Sequence, residues 1–301
     1  MTGDAAAKSV VPVEALRGWM RRVLQRYGMF AADAELVIQR LVEAELRGRA
    51  EQGVVLLEEI ATAFDSGDID PRARTLTIQE TPAFAVLDGS TGVGQANVSR
   101  AMQLALQKAQ VVGLGMVVVT NSQPCGDVAG YAELAAMSAS IGFCTTNSGR
   151  ASRAIQPGGP LVLADHTQAW AIPAGEKAWV ACVRTGDGTE AVTTPAGAIS
   201  GIVSLLLTAG LTGTRLPSAK KKASPYGAGA EHTCLALHLP TWQAADNCRK
   251  MWGDLAPLLG PSGHGWRLTE LVTDAAEVAL SSETQTALQA VAMQTRIAWP
   301  S

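Results

Sequence analysis

In the N-terminal quarter of the chain, apolar positions recur at helical spacing. "PVEALRGWMRRVLQRYG" places Val13, Leu16, Met20, Val23 and Leu24 on one face, with Gly28 as its stop. "AADAELVIQRLVEAELRG" repeats the pattern through Leu36, Ile38, Leu41, Val42 and Leu46. A third helix is expected from Gly53 to Asp65, closed by the turn cluster "DSGDIDP" with Pro71. The period then changes. "RTLTIQETPAFAVLDGSTGVGQ" alternates as paired strands do and breaks at Gly89, Gly92 and Gly94. "ANVSRAMQLALQKAQVVG" reads as a helix, "LGMVVVTNS" as a buried β-branched strand, "VAGYAELAAMSAS" as a helix and "IGFCTTN" as a strand. That alternation predicts an α/β core with some parallel pairing. "AWAIPAG", "AWVACVR" and "HTCLALHLP" supply later strands, and the tail from Thr241 is expected to be mostly helical, with a break at "GPSGHGW". There is no internal repeat. The expected organisation is a helical region over 1–75, a mixed α/β core over 76–240 and a second helical region over 241–301.

Composition narrows the class. The 301 residues are 47% hydrophobic and 17% charged, enough for a substantial core in one large domain or two intimate ones. A formal charge of −3, from 24 basic and 27 acidic residues, makes no case for nucleic acid. The one basic run, "AKKKASP" from Ala219 to Pro225, reads as a solvated loop face, with an anionic ligand or partner as the other reading. The first residues lack the apolar core of a signal peptide, and no window suits a membrane span. The longest apolar stretch, Ala196 to Gly213, suits a helix buried in protein better than one in lipid. Five scattered cysteines without a C-x-x-C pair point to reduced thiols and a cytoplasmic setting. Cys144, Cys182, Cys234 and Cys248 are expected as small buried hydrophobes. His232, His238 and His264 are too dispersed to suggest a metal site.

The order of several motifs resembles the type 2 malate/L-lactate dehydrogenase family, which also includes ureidoglycolate and sulfolactate dehydrogenases and reductases of cyclic imino acids. The matching stretches are "EAELRG", "GVVLLEEI", "GDIDP", "LDGSTGVGQ", "GLGMVVVTNS", "GDVAGYAELAAMSASIGFCTTN", "PGGP" and "LTG", colinear over most of the first 215 residues. The resemblance implies a non-Rossmann α/β fold, with a mixed-sheet cofactor core between helical terminal regions, and a homodimer. It also implies NAD(P)H delivering a hydride to a 2-oxo acid or cyclic imine. "GSTGVG" is not G-x-G-x-x-G, and its glycines read as shaping a strand connection.

The same resemblance exposes departures at the residues that carry chemistry. Hydride addition to a carbonyl needs a proton donor at oxygen and a cation for the substrate carboxylate. In the family the loop after the apolar strand reads Asn-Ser-Asn-His-Phe-Gly, and its histidine protonates the carbonyl. Here the frame is "NSQPCG", with Pro124 in the histidine's place and Asn121, Ser122 and Gly126 kept. Where the family has Ser-His-Gly-Val and then an arginine, this chain has Gln52 for the histidine and Leu56 near the arginine. The family's Gly-Thr-Asn-Pro becomes Ala164, Asp165, His166 and Thr167. Ala196 stands about where a lysine is expected, and family sequence is missing before that helix. The economical reading is a retained fold with the ordinary hydride-transfer centre lost, and NAD(P)H binding therefore in doubt.

Replacement chemistry has three catalytic candidates. Asp165 and His166 lie on a stretch expected to be a loop facing the same cleft, where an imidazole beside a carboxylate titrates near neutrality; the alternative for His166 is a hydrogen-bonded loop residue. Cys125, one position beyond Pro124, is a nucleophile if a positive neighbour lowers its pKa, and filler otherwise. Gln52, Asn121, Ser122, Gln123, Arg150 and Arg153 are candidates to bind substrate; for the two arginines the alternative is plain surface placement. Asp127 and Tyr131 read as a helix start. Three functions stay open. One is a repurposed enzyme of specialised metabolism acting on a small metabolite. Another is an NAD(P)H-dependent reductase of an imine or 2-oxo acid with a substituted proton donor. The last is a non-catalytic scaffold that binds a metabolite or a partner enzyme.

Overall fold

The computed structural model describes residues 9–148, 166–185, 194–213, 229–242, 245–259, 265–271 and 275–299. The chain forms two compact units, residues 1–72 with 273–301, and residues 73–272.

The first unit is built on α1 (Val13–Arg26), α2 (Ala31–Leu46), α3 (Leu56–Ser66) and α8 (Ser282–Thr295). On α1 the expected stripe is buried and widened by Trp19, whose indole N–H donates to the carbonyl of Ile297 at 3.2 Å. On α2 the buried stripe is Ala34, Val37, Ile38, Leu41 and Val42, whereas Leu36 and Leu46 are only half-buried. α3 starts three residues later than expected, after a single 3-10 turn, Ala50–Gln52, and stops at Gly67, whose φ of +73° is cheap only for glycine. Two short strands were hidden in the sequence: β1 (Ser9–Pro12) pairs antiparallel with β10 (Glu277–Leu280), Ser9 opposite Leu280.

The second unit is an eight-stranded mixed sheet, as expected of an α/β core. Its strands are β2 (Leu76–Glu80), β3 (Phe84–Asp88), β4 (Leu114–Ser122), β5 (Ser140–Ser148), β6 (His166–Ala174), β7 (Lys177–Thr185), β8 (Ala230–His238) and β9 (Trp266–Glu270). They lie in the order β2-β3-β4-β8-β5-β6-β7-β9. β3 and β4 run parallel, and the other neighbours are antiparallel. α4 (Gly94–Val112) and α5 (Val128–Met137) cover one face. Both helices are alanine-rich where they meet the sheet, so their backbones come close to it. A side chain at Gly115 would strike the carbonyl of Ala105, and one at Gly142 the carbonyl of Ala132. α6 (Pro195–Leu205), continued by a π turn to Gly210, and α7 (Ala245–Leu259) lie on the other face.

Two expectations fail here for a physical reason. The long apolar stretch is not a fully buried helix: α6 and its π turn turn Gly201, Ser204, Thr208 and Ala209 to the sheet, while Ile199, Ile202, Val203 and Leu206 stay exposed. Cys182 is exposed although β7 places it on the same face as the buried Ala178 and Val180, because it lies beyond that pair toward the end of the strand, whereas Cys144, Cys234 and Cys248 are buried as expected. Among the described residues no helix is long and apolar enough to cross a membrane.

Gly142→Ala is expected to destabilise the second unit by roughly 1–3 kcal/mol through overpacking. Gly18→Ala on α1, where an added methyl meets nothing within 4 Å, is expected to stabilise by about 0.5–1 kcal/mol. Urea unfolding of both variants measures the two opposite signs.

Candidate functional site

Strand β4 ends in the loop that sequence singled out, and the glycine turn after β3 clasps it. Asn121 sits at φ +49°, in the left-handed region that asparagine tolerates better than most residues. Its Nδ2 donates to Asp88 Oδ1 at 2.9 Å, and the same oxygen accepts from the Ser90 N–H at 2.6 Å. Ser90 and Thr91 are left-handed too, and the Thr91 N–H returns to the Asn121 carbonyl at 2.7 Å. Gly94 opens α4 directly against the loop, and any Cβ there would run into the carbonyl oxygens of Gln123 and Pro124. Asn97, one turn into α4 and 3% exposed, joins the parts. Its Nδ2 lies 3.1 Å from the Gly89 carbonyl, 3.3 Å from that of Gly92 and 3.0 Å from Ser122 Oγ, while Oδ1 accepts from Thr75 at 2.7 Å.

From below, the sheet holds the loop by its backbone. His232 on β8 is fully buried, and its Nε2 lies 3.0 Å from the Gln123 carbonyl. A carbonyl only accepts, so Nε2 carries a proton. Nδ1 faces the Thr146 hydroxyl at 2.9 Å. The Tyr131 hydroxyl donates to the Cys125 carbonyl at 2.7 Å. Cys125 itself is 2% exposed, in the cluster under α4 and α5 that also holds Cys144 and Cys234. Burial first, and then Cys234 and Asp127, push its thiol far above the ordinary range. Such a thiol is protonated at neutral pH and closed to solvent, which suits filling a core better than attacking a substrate. The imidazole, the phenol and the thiol beside the loop are thus all committed to holding it.

The other sequence candidates fall in several places. Ser122 and Gln123 are buried and Asn121 is exposed. Gln52 belongs to the first unit, half-buried at the end of the 3-10 turn. Behind it the Glu45 carboxylate accepts from the Val54 N–H at 3.2 Å, and burial pushes its pKa up. Asp165, Arg150 and Arg153 lie outside the described residues. His166 is not on a loop: it is the first residue of β6, 1% exposed, directly opposite Asn147 of β5. Directly paired residues share a sheet face. Asn147 shares its face with Thr145, which bonds Ser204 of α6 at 2.8 Å, whereas Cys144 points into the α4–α5 cluster. His166 and Cys125 therefore lie on opposite faces. β6 is also three strand spacings, roughly 14 Å, from β4. They do not form one constellation.

On the α6 side the structure assembles a row that sequence reasoning missed: Glu231, Asn147 and His166, side by side across β8, β5 and β6 and 1%, 0% and 1% exposed. One row inward, Thr145, Gln168 and Thr233 all bond to α6 or its π turn. Among the described residues, neither Nδ2 nor Oδ1 of Asn147 has a partner. The signal for Asn147 and His232 was in the period-two alternation of "CTTNS" and "EHTCLA", which places polar residues at inward positions.

Asn97→Ala is expected to cost roughly 2–3 kcal/mol, since buried carbonyls and a hydroxyl lose their donor, and to open the 121–126 loop to proteolysis; urea unfolding and limited digestion check it. Iodoacetamide mapping at pH 8 is expected to modify Cys182 and leave Cys125 untouched until the protein is unfolded.

Comparison with known proteins follows this geometry. The profile of the family described as malate/L-lactate dehydrogenase matches residues 11–182. Malate dehydrogenase of Pyrococcus abyssi is 38% identical over 138 residues, which are 46% of this chain and 38% of that enzyme. L-sulfolactate dehydrogenase of Methanocaldococcus jannaschii is 36% identical over 126 residues, 42% of this chain and 37% of that enzyme. The matching sequence thus spans well under half of these relatives. The structure of malate dehydrogenase from Pyrococcus horikoshii OT3 superimposes with a TM-score of 0.82 over 99% of both chains at 21% identity, a likeness of fold. With the profile covering more than half of its length, this chain belongs to the malate/L-lactate dehydrogenase family.

Proposed function

We propose that this chain is a repurposed member of its family, acting on a small metabolite at the end of the central sheet without the proton donor of ordinary 2-oxo acid reduction. One observation carries the reading: Pro124 stands where the resemblance expects the catalytic histidine, inside a loop clasped by Asn97, Gly94 and His232. The frame is held, and the group that replaces the acid cannot titrate. Losing such a group costs about 10²–10⁴ in rate. Asp165 and His166 remain the proposed replacements, with Arg150 and Arg153 as the proposed substrate-binding groups. Cys125 keeps only the part of a support. A reduced-thiol, cytoplasmic setting accompanies this reading.

A second reading is favoured by Asn147. A protonated imine needs no acid at a carbonyl oxygen, so imine reduction survives the change at Pro124. A bound nicotinamide would supply the hydride for it. The residues present fit such a group at one point, the unpartnered Asn147 carboxamide, which offers both a donor and an acceptor. The aliphatic face of α6 left exposed at Ile199 and Leu206 supports the proposed homodimer; a scaffold bound to a partner enzyme is the competing use of that face.

The test is NADH and NADPH oxidation with a panel of 2-oxo acids and cyclic imines at pH 7. Background rates with the 2-oxo acids are expected, and pyruvate or oxaloacetate turnover in the ordinary enzymatic range, above about 1 s⁻¹, overturns the proposal. Light scattering is expected to give twice the 31.3 kDa of one chain, and Leu206→Glu to halve the mass; a monomeric wild type refutes the dimer.

A further inference from the structure

We infer that Cys144 and Cys234 form a cross-strand disulfide that staples β8 to β5 when the chain assembles in an oxidising thiol pool, and that the pair stays open in a reducing one. The inference goes beyond the proposed function and does not depend on it. Three of the five cysteines meet in the core under α4 and α5, although they come from a loop, from β5 and from β8. Two of them face each other. Cys144 and Cys234 are directly opposite in the antiparallel β5–β8 ladder, both fully buried, with their sulfurs 4.0 Å apart. Residues so paired have Cα atoms about 4.5–5.5 Å apart, inside the span that a disulfide bridges without moving the backbone. Side-chain rotation that closes the sulfurs by roughly 2 Å completes the bond. Their same-face neighbours Ala169 and Ala236 offer little bulk against that rotation.

The other thiols are placed differently. Cys248 packs in the separate cluster with Trp252 and Trp266. Cys182 shares the sheet face of Cys144, but β6 lies between them, and two strand spacings, roughly 10 Å, exceed a disulfide's reach. Cys125 is the competitor, in the same cluster on the loop whose carbonyl Tyr131 holds.

Burial sets the timing. Burial first, and then Cys234, pushes the Cys144 thiol well above its ordinary range. Thiol–disulfide exchange needs a thiolate and access, so the folded pair is inert. Until residues 230–238 enter the gap between β4 and β5, both thiols are open to a small disulfide such as glutathione disulfide. One protein thiolate attacks it, forming a mixed disulfide and releasing one glutathione. Once β8 is in register, the second thiolate attacks the protein sulfur of that mixed disulfide and expels the other glutathione. Two protein thiols give up two protons and two electrons, and one glutathione disulfide becomes two glutathione thiols. The bond closes when Cys234 lies opposite Cys144, so it records the insertion of β8 and then fixes it.

The test refolds the full chain from urea in reduced glutathione alone or in a mixture with glutathione disulfide, followed by peptide mapping and thermal unfolding. In the mixture the expected product is lighter by two hydrogens after removal of any glutathione adduct at Cys182, carries a Cys144–Cys234 peptide pair, and melts roughly 5–15 °C higher than the reduced chain. Protein already folded, given the same mixture, is expected to react at Cys182 and form no bridge. Cys144→Ala is expected to show neither the bridge nor the rise in melting temperature, and Cys125→Ala to keep both. Should Cys144→Ala fail to fold, Cys234→Ala takes its place; should the chain not refold from urea, the same mapping is made on chain translated in vitro in the two buffers. A mapped bridge through Cys125, no bridge at all, or a Cys144–Cys234 bridge that leaves the melting temperature unchanged or lower overturns the inference. So does a bridge that forms as readily in the folded protein, since the bond would then owe nothing to the insertion of β8.

Discussion

The side-chain amide of Asn97 donates to the carbonyls of the glycine turn and to Ser122, while its oxygen accepts from Thr75. Through these bonds the turn after β3, the end of β4 and the start of the sheet are fixed by one buried group on α4. The two left-handed turn residues and the left-handed Asn121 would each be unfavourable alone. They persist because the surrounding bonds over-determine them. Gly94 completes the clasp, since α4 touches the loop backbone with no room for a side chain. The loop is therefore a rigid rim of the sheet whose shape does not depend on what residue 124 is.

That rigidity bears on function. A proline at 124 in a loose loop would say little, because the loop could present another residue to a ligand. In a loop tied from above by Asn97 and from below by His232, the identity of each side chain decides what the rim can do. Its thiol and its phenol are turned inward and used as fasteners. Among the described residues, the buried polar atoms without a partner include the side-chain amide of Asn147 on the far face of the sheet and Gln95 Oε1 at the start of α4.

Much of this was legible in the residues. Helix α1, the alternation of helix and strand from residue 94 to 148, and the family itself follow from local spacing and motif order. What was not legible depends on long-range pairing. β1 is four residues that become a strand only because β10, near the other end of the chain, lies beside them. β9 is a strand only as the edge partner of β7. α6 has the composition of a buried helix, yet the sheet beneath it offers hydroxyls and an amide, so its serine and threonine turn inward and its aliphatic residues turn away. At the site, the sequence pointed to the loop and to His166. It could not show that β8 and β5 intervene between them, or that the imidazole lies on one face of the sheet and the Cys125 thiol packs on the other.

The place of β8 has a consequence for how the chain assembles. β4 and β5 are separated in sequence by a single helix, yet in the sheet they are held apart by β8, which is made some eighty residues later. As the chain leaves the ribosome, β4 and β5 must remain unjoined, with open edges, until residues 230–238 arrive to fill the gap. Non-local closure of this kind is slow. It also means that the clasped rim acquires its lower fastening, His232, only when β8 is inserted, so a chain truncated before residue 230 would carry the loop without the strand that anchors it.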